Sequence, residues 1–68
     1  MNISVNGQPN PTPDDTRLDA LIRVSTGRES AMGVAVAVNG HVIPQTQWAA
    51  TPLQEGDAIE ILQAVAGG

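Results

Sequence analysis

The residues of this 68-residue sequence best suited to chemistry are its last three, Ala66-Gly67-Gly68, whose main-chain carboxylate follows a hydrophobic, strand-like stretch. Side-chain chemistry is scarce elsewhere. The chain has no cysteine and no lysine, and His41 is its single histidine. No set of residues could assemble a catalytic centre, so no catalytic residue is assigned, and a lone histidine without thiolates makes no metal site. The sequence reads as a protein substrate or carrier rather than an enzyme. Gly68 is the expected point of covalent modification, with Val65, Ala66 and Gly67 as the thread that carries it into a partner's channel. Four residues reach at most about 13 Å when extended. The glycines keep the thread narrow and open to backbone angles closed to other residues, while Val65 and Ala66 add a little apolar grip. Activation of the carboxylate must come from the partner.

A second candidate feature is a docking surface formed by Glu55, Asp57, Glu60 and Leu62. The three acids read equally as solvated surface or as a patch that steers a basic partner. Leu62 falls on the opposite face of its strand from Ile59 and Ile61, where it could serve the same surface. Ala35 and Ala37 either make room for a helix or leave a flat apolar sheet face. Trp48 reads as a partly buried cover over a long connection, and His41, beside a turn, as an exposed residue without a role.

Composition sets the frame for these residues. A chain of this length holds one domain and buries only roughly 60% of its unfolded surface. The net charge of -4 argues against a nucleic-acid partner. The amino terminus shows no signal-peptide pattern and no apolar run approaches membrane-spanning length, so a cytoplasmic chain with no membrane partner is expected.

Residues 2–6 alternate as a half-buried strand, and Asn6-Gly7 supplies a type I′ hairpin turn. The next segment carries Pro9, Pro11 and Pro13. It is either an edge strand, with the missing donors all on one side and Asn10 and Thr12 left to pair, or an irregular polyproline-like loop over residues 8–15. Thr16 and Asp19 resemble a capping box, which predicts a helix start there. Leu18, Leu21 and Ile22 give that helix an apolar stripe, and Gly27 ends it after about ten residues. Residues 28–33 form a polar connection to an interior strand at 34–38. Asn39-Gly40 turns the chain into a short return strand, His41-Val42-Ile43, closed by Pro44. A long connection over residues 45–57 leads to a last strand containing Ile59 and Ile61. The expected fold class is α+β, a β-grasp: a mixed sheet of four to five strands around one helix, with the last strand in the middle. Residues 1–64 form the domain, and residues 65–68 a flexible Gly-Gly tail.

This order of elements with a terminal Gly-Gly resembles the ubiquitin-like β-grasp sulfur carriers, and more narrowly the ThiS family. The resemblance rests on Val36-Ala37-Val38-Asn39-Gly40 leading to Val42-Ile43-Pro44, on Gln47-Trp48, and on Leu53-Gln54-Glu55-Gly56-Asp57. It also rests on the final stretch, Ile59-Glu60-Ile61-Leu62-Gln63-Ala64-Val65-Ala66-Gly67-Gly68, and in all covers roughly half the chain. The amino-terminal half matches by pattern, and its proline-rich second strand departs from the family.

The resemblance implies that a ThiF-type adenylyltransferase activates the Gly68 carboxylate with ATP and Mg²⁺, the chain itself binding no cofactor. Sulfur derived from a cysteine desulfurase then gives a thiocarboxylate, which a ThiG-type thiazole synthase consumes in thiamin biosynthesis. The carrier alone is expected to be a monomer. Three other functions compete. The small subunit of molybdopterin synthase shares the fold and tail but is usually somewhat longer. A ubiquitin-like modifier is the second, although a chain without lysine cannot form lysine-linked polymers of itself. The third is a plain interaction module with an incidental tail.

Overall fold

The computed structural model describes residues 1–27 and 31–64. The expected thread, Val65, Ala66, Gly67 and Gly68, lies outside the described residues, as do residues 28–30.

Strand β1 (Asn2–Val5) buries Ile3 and ends at Asn6-Gly7, whose φ angles of 51° and 80° are those of a type I′ turn. The chain returns as β2 (Gln8–Pro11), antiparallel to β1 with Ile3 opposite Asn10. The proline-rich segment is thus a regular strand, and it lies at the sheet edge in the order β2-β1-β5-β3-β4. Pro9 and Pro11 are tolerated there because the outer edge needs no donors. The pairing runs one step further, with the Thr12 N–H donating to the Met1 carbonyl at 2.9 Å.

Helix α1 (Leu18–Thr26) presents Leu18, Leu21 and Ile22 to the sheet, all buried. Its start corrects the expected capping box. The N-cap is Arg17, with no side-chain cap, and the Thr16 hydroxyl donates instead to the Pro13 carbonyl at 2.6 Å. Asp19 pairs with Arg23 one turn later at 3.6 Å. A tertiary bridge replaces the cap: Leu18 N–H donates to the Thr51 carbonyl at 2.9 Å, and Leu53 N–H to the Thr16 carbonyl at 3.1 Å. One orphan amide of the first turn is thereby satisfied across the fold. At the other end Gly27 adopts φ 67° and donates to the Arg23 carbonyl, the left-handed cap expected of it.

Strand β3 (Val34–Val38) turns through Asn39-Gly40 into β4 (His41–Val42). The return strand is two residues long rather than three, although Ile43 still donates to the Val36 carbonyl at 2.9 Å. A 3₁₀ turn (Gln45–Ala50) follows and carries Trp48 into the core at 5% exposure. Trp48 is therefore a core residue and not a partial cover. Its indole N–H has a partner in the Ile43 carbonyl at 2.9 Å, which makes full burial of the ring tolerable. The chain closes with β5 (Ala58–Gln63), parallel to β1 and antiparallel to β3, at the centre of the sheet. Ile59, Ile61 and Val36 of the sheet share one buried core with Leu18 and Ile22 of the helix, and this is the α+β arrangement expected from the sequence.

Candidate functional site

Because β5 is central, the chain is held from both sides as far as Ile61 and from the β3 side as far as Ala64. On the β1 side, Ser4 and Val5 pair with Ala58 and Ile59. One further contact comes from a side chain: Asn6 accepts the Ile61 N–H through Oδ1 at 2.8 Å and donates through Nδ2 to the Ile61 carbonyl at 3.2 Å. The carboxamide offers the same donor and acceptor as a peptide group, so it extends β1 after the backbone has turned away. On the β3 side the ladder runs to Val34 opposite Gln63, and the Ala64 N–H then donates to the Gly33 carbonyl at 2.7 Å.

The four residues assigned to a docking surface separate into two groups. Glu60 and Leu62 share the outer face of β5, where Leu62 is 72% exposed, and Val42, across β3 on β4, is 76% exposed. Together with Ala35 and Ala37 they line a shallow apolar groove. The two alanines therefore leave the outer sheet face flat, while the helix packs on the opposite face through Val36.

Glu55 and Asp57 precede the strand at its far end. Seven steps of extended chain, roughly 23 Å, separate Asp57 from Ala64. Both acids have structural partners. The carboxylate of Glu55 accepts the Asn2 N–H at 3.1 and 3.0 Å. Asp57 accepts from Asn39 Nδ2 at 3.0 Å and from the Gln54 N–H at 2.8 Å, while Asn39 Oδ1 accepts the Ala58 N–H at 2.9 Å. These acids fasten the connection and the β3–β4 turn to the start of β5.

His41 is exposed, and no group of three or more His, Cys, Asp or Glu residues is placed to hold a metal among the described residues. No helix of the described residues is long and apolar enough to cross a membrane. Sequence reasoning missed Asn6 and Gly33 as residues that hold the base of the tail. Asn6-Gly7 was legible as a turn, but nothing in the sequence pairs it with Ile61, and Gly33 sat unmarked in a small-residue connection.

Comparison with known proteins agrees with this geometry. A sequence model described as the ThiS family matches residues 3–68. The sulfur carrier protein ThiS of Escherichia coli (strain K12) is 44% identical over 36 residues, which are 53% of this chain and 54% of that protein. The match thus spans about half the length of the curated relative. The crystal structure of the thiamine biosynthesis protein ThiS from Geobacter metallireducens superposes with a TM-score of 0.76 at 30% identity, over the whole of both chains. A solution structure of a thiamine biosynthesis protein from the same organism gives 0.79 at 31% identity, over all of this chain and 88% of that one. A chain from the protein–protein complex of subunits 1 and 2 of molybdopterin-converting factor from Helicobacter pylori 26695 gives 0.58 at 26%, over the whole of both.

Proposed function

The chain belongs to the ThiS family of sulfur carriers, and from that premise we propose that its Gly68 carboxylate is loaded with sulfur for thiazole formation in thiamin biosynthesis. The observation that carries the proposal is the extent of the family match, which runs through residue 68 and so includes Gly67-Gly68. The scarcity of side-chain chemistry supports it, since the activating groups then belong to a partner.

A carboxylate is a poor electrophile because its charge is delocalised and oxide does not leave. In the proposed scheme it attacks the α-phosphorus of ATP on a ThiF-type enzyme that supplies Mg²⁺, and pyrophosphate departs. A sulfur nucleophile then displaces AMP from the acyl adenylate. When the sulfur arrives as a desulfurase-derived persulfide, a thiol must cleave the S–S bond to free the thiocarboxylate, the donor's thiol sulfur leaving in the new disulfide. A thiazole synthase of the ThiG type is the acceptor. The reading places the chain in the cytoplasm, as a substrate of these enzymes. Glu60 and Leu62 lie on the face available for docking, whereas Glu55 and Asp57 act chiefly as fasteners.

Incubation of the full chain with its cognate activating enzyme, ATP, Mg²⁺ and a sulfur source should raise the intact mass by one oxygen-to-sulfur exchange at Gly68. An unchanged mass, with the enzyme active on a control carrier, would defeat the proposal. The Helicobacter pylori neighbour supports a second reading, a carrier for molybdenum cofactor, at lower similarity. Complementation of a thiazole auxotroph rather than a molybdenum-cofactor mutant decides between them.

A further inference from the structure

We propose that Gly33 is a positioning residue for loading: its left-handed backbone opens β3 with the carbonyl set on the Ala64 amide, fixing where residue 64, the last described residue before the Gly68 tail, is held. The inference rests on the carrier reading above and adds a residue outside the tail to it.

Three observations carry it. The β3–β5 register pairs Val34 with Gln63, so Gly33 stands opposite Ala64 as the next rung, and the 2.7 Å bond between them is formed. Gly33 has φ 76°, a conformation that side chains with a Cβ rarely adopt, and an added Cβ would meet the Ala64 Cβ at 3.4 Å. Beyond Ile61, no hydrogen bond from β1 or its turn reaches β5 among the described residues, since Asn6 ends that side. Residues 62–64 are thus aligned from the β3 side, and Gly33 makes its last bond. The far end of the same ladder is built alike: Asn39, at φ 51°, accompanies Ala58 as the chain turns away. A residue unable to hold a positive φ at position 33 would rotate the carbonyl off Ala64 and free the base of the tail. The outer face around Leu62 would stay as it is. Docking is then preserved and delivery of the carboxylate is lost, which predicts an effect on kcat rather than KM.

The test compares wild type, Gly33→Val, Gly33→Asn and Ala64→Pro as full chains, reading amide exchange and the kinetics of loading by the cognate activating enzyme. Gly33→Val should raise the Ala64 exchange rate about tenfold while the Ile59 and Ile61 amides keep theirs. Its kcat for loading should fall about fivefold or more, with KM for the carrier within about twofold. Gly33→Asn tolerates the left-handed conformation and should restore both readouts. Ala64→Pro removes the donor without touching β3, so it should repeat the kcat loss even where Gly33→Val fails to fold. Wild-type kcat in Ala64→Pro and in any folded Gly33→Val, or a defect confined to KM, would overturn the inference while leaving the carrier reading intact. Failure of the wild type itself to be loaded removes that reading and the inference with it.

Discussion

Replacing Asn6 measures how much one side chain contributes to the central strand. Its two bonds to Ile61, at 2.8 and 3.2 Å, stand in for the residue that β1 no longer supplies once the backbone turns at φ 51°. A net hydrogen bond is worth about 0.5–1.5 kcal/mol, and water can reach this exposed residue, so the pair contributes about 1–2 kcal/mol. Asn6→Gly removes both bonds, keeps the left-handed turn, and adds about 0.5–1 kcal/mol of backbone entropy to the unfolded state. The expected loss is about 1.5–3 kcal/mol. Asn6→Ala removes the same bonds and forces a Cβ into the left-handed region at about 1–2 kcal/mol, for a total of about 2–4 kcal/mol. A domain of this length has about 3–10 kcal/mol in all, so both variants approach the edge of stability and are best measured cold. Urea unfolding followed by Trp48 fluorescence is the assay, because Trp48 is the only aromatic residue and is buried. Asn6→Gly within about 0.5 kcal/mol of wild type would refute the clamp. Asn6→Ala more stable than Asn6→Gly would refute the conformational half of the argument.

Three further outcomes are expected from the same structure. Asp57→Ala orphans Asn39 Nδ2 and the Gln54 N–H, so urea titration should reveal a loss of about 1–3 kcal/mol before any partner is added. Leu62→Ser should leave the melting temperature near wild type, because the side chain is 72% exposed, yet slow loading by the activating enzyme. The neighbouring Ile59→Ala, at 1% exposure, should cost about 2–5 kcal/mol, and a Leu62 variant as unstable as that one would remove Leu62 from the docking face. One residue appended beyond Gly68 should abolish the oxygen-to-sulfur exchange with the urea midpoint unchanged, and normal loading of the extended chain would contradict the channel argument.

Elements governed by local chemistry were legible in the sequence. Both Asn-Gly turns, the Leu18-Leu21-Ile22 stripe, the Gly27 stop and the inward alternation of Ile59 and Ile61 lie where their residue types predict. Elsewhere local chemistry is overruled by distant backbone. The helix start looked like a side-chain cap, but Thr51 and Leu53, more than thirty residues away, supply the partners of Leu18 and Thr16. Trp48 looked half exposed because its sequence neighbours are polar or small, and no pattern in 45–50 signals the 3₁₀ turn that drives it inward. The acids illustrate the limit for function. Glu55, Asp57 and Glu60 form one cluster along the sequence, but only Glu60 lies on β5, while Glu55 and Asp57 sit in the connection before it and each holds a backbone amide.

That division bears on where a partner can sit. A protein that engaged Glu55 and Asp57 would have to compete with the bonds that fasten Asn2, Asn39 and Gln54, and would stand roughly 23 Å from the base of the tail. A protein resting on Glu60, Leu62 and Val42 disturbs none of those bonds and lies along the strand that ends at Gln63, one residue before Ala64. The two ties that end the ladder, Asn6 to Ile61 and Gly33 to Ala64, both fall where a neighbouring strand turns away through a positive φ, and they are staggered by three residues. With both neighbours turning away near the end of β5, the ladder's ties stop at Ile61 on the β1 side and at Ala64 on the β3 side, so a partner resting on Leu62 sits between the last two points at which the described chain is fastened to the sheet.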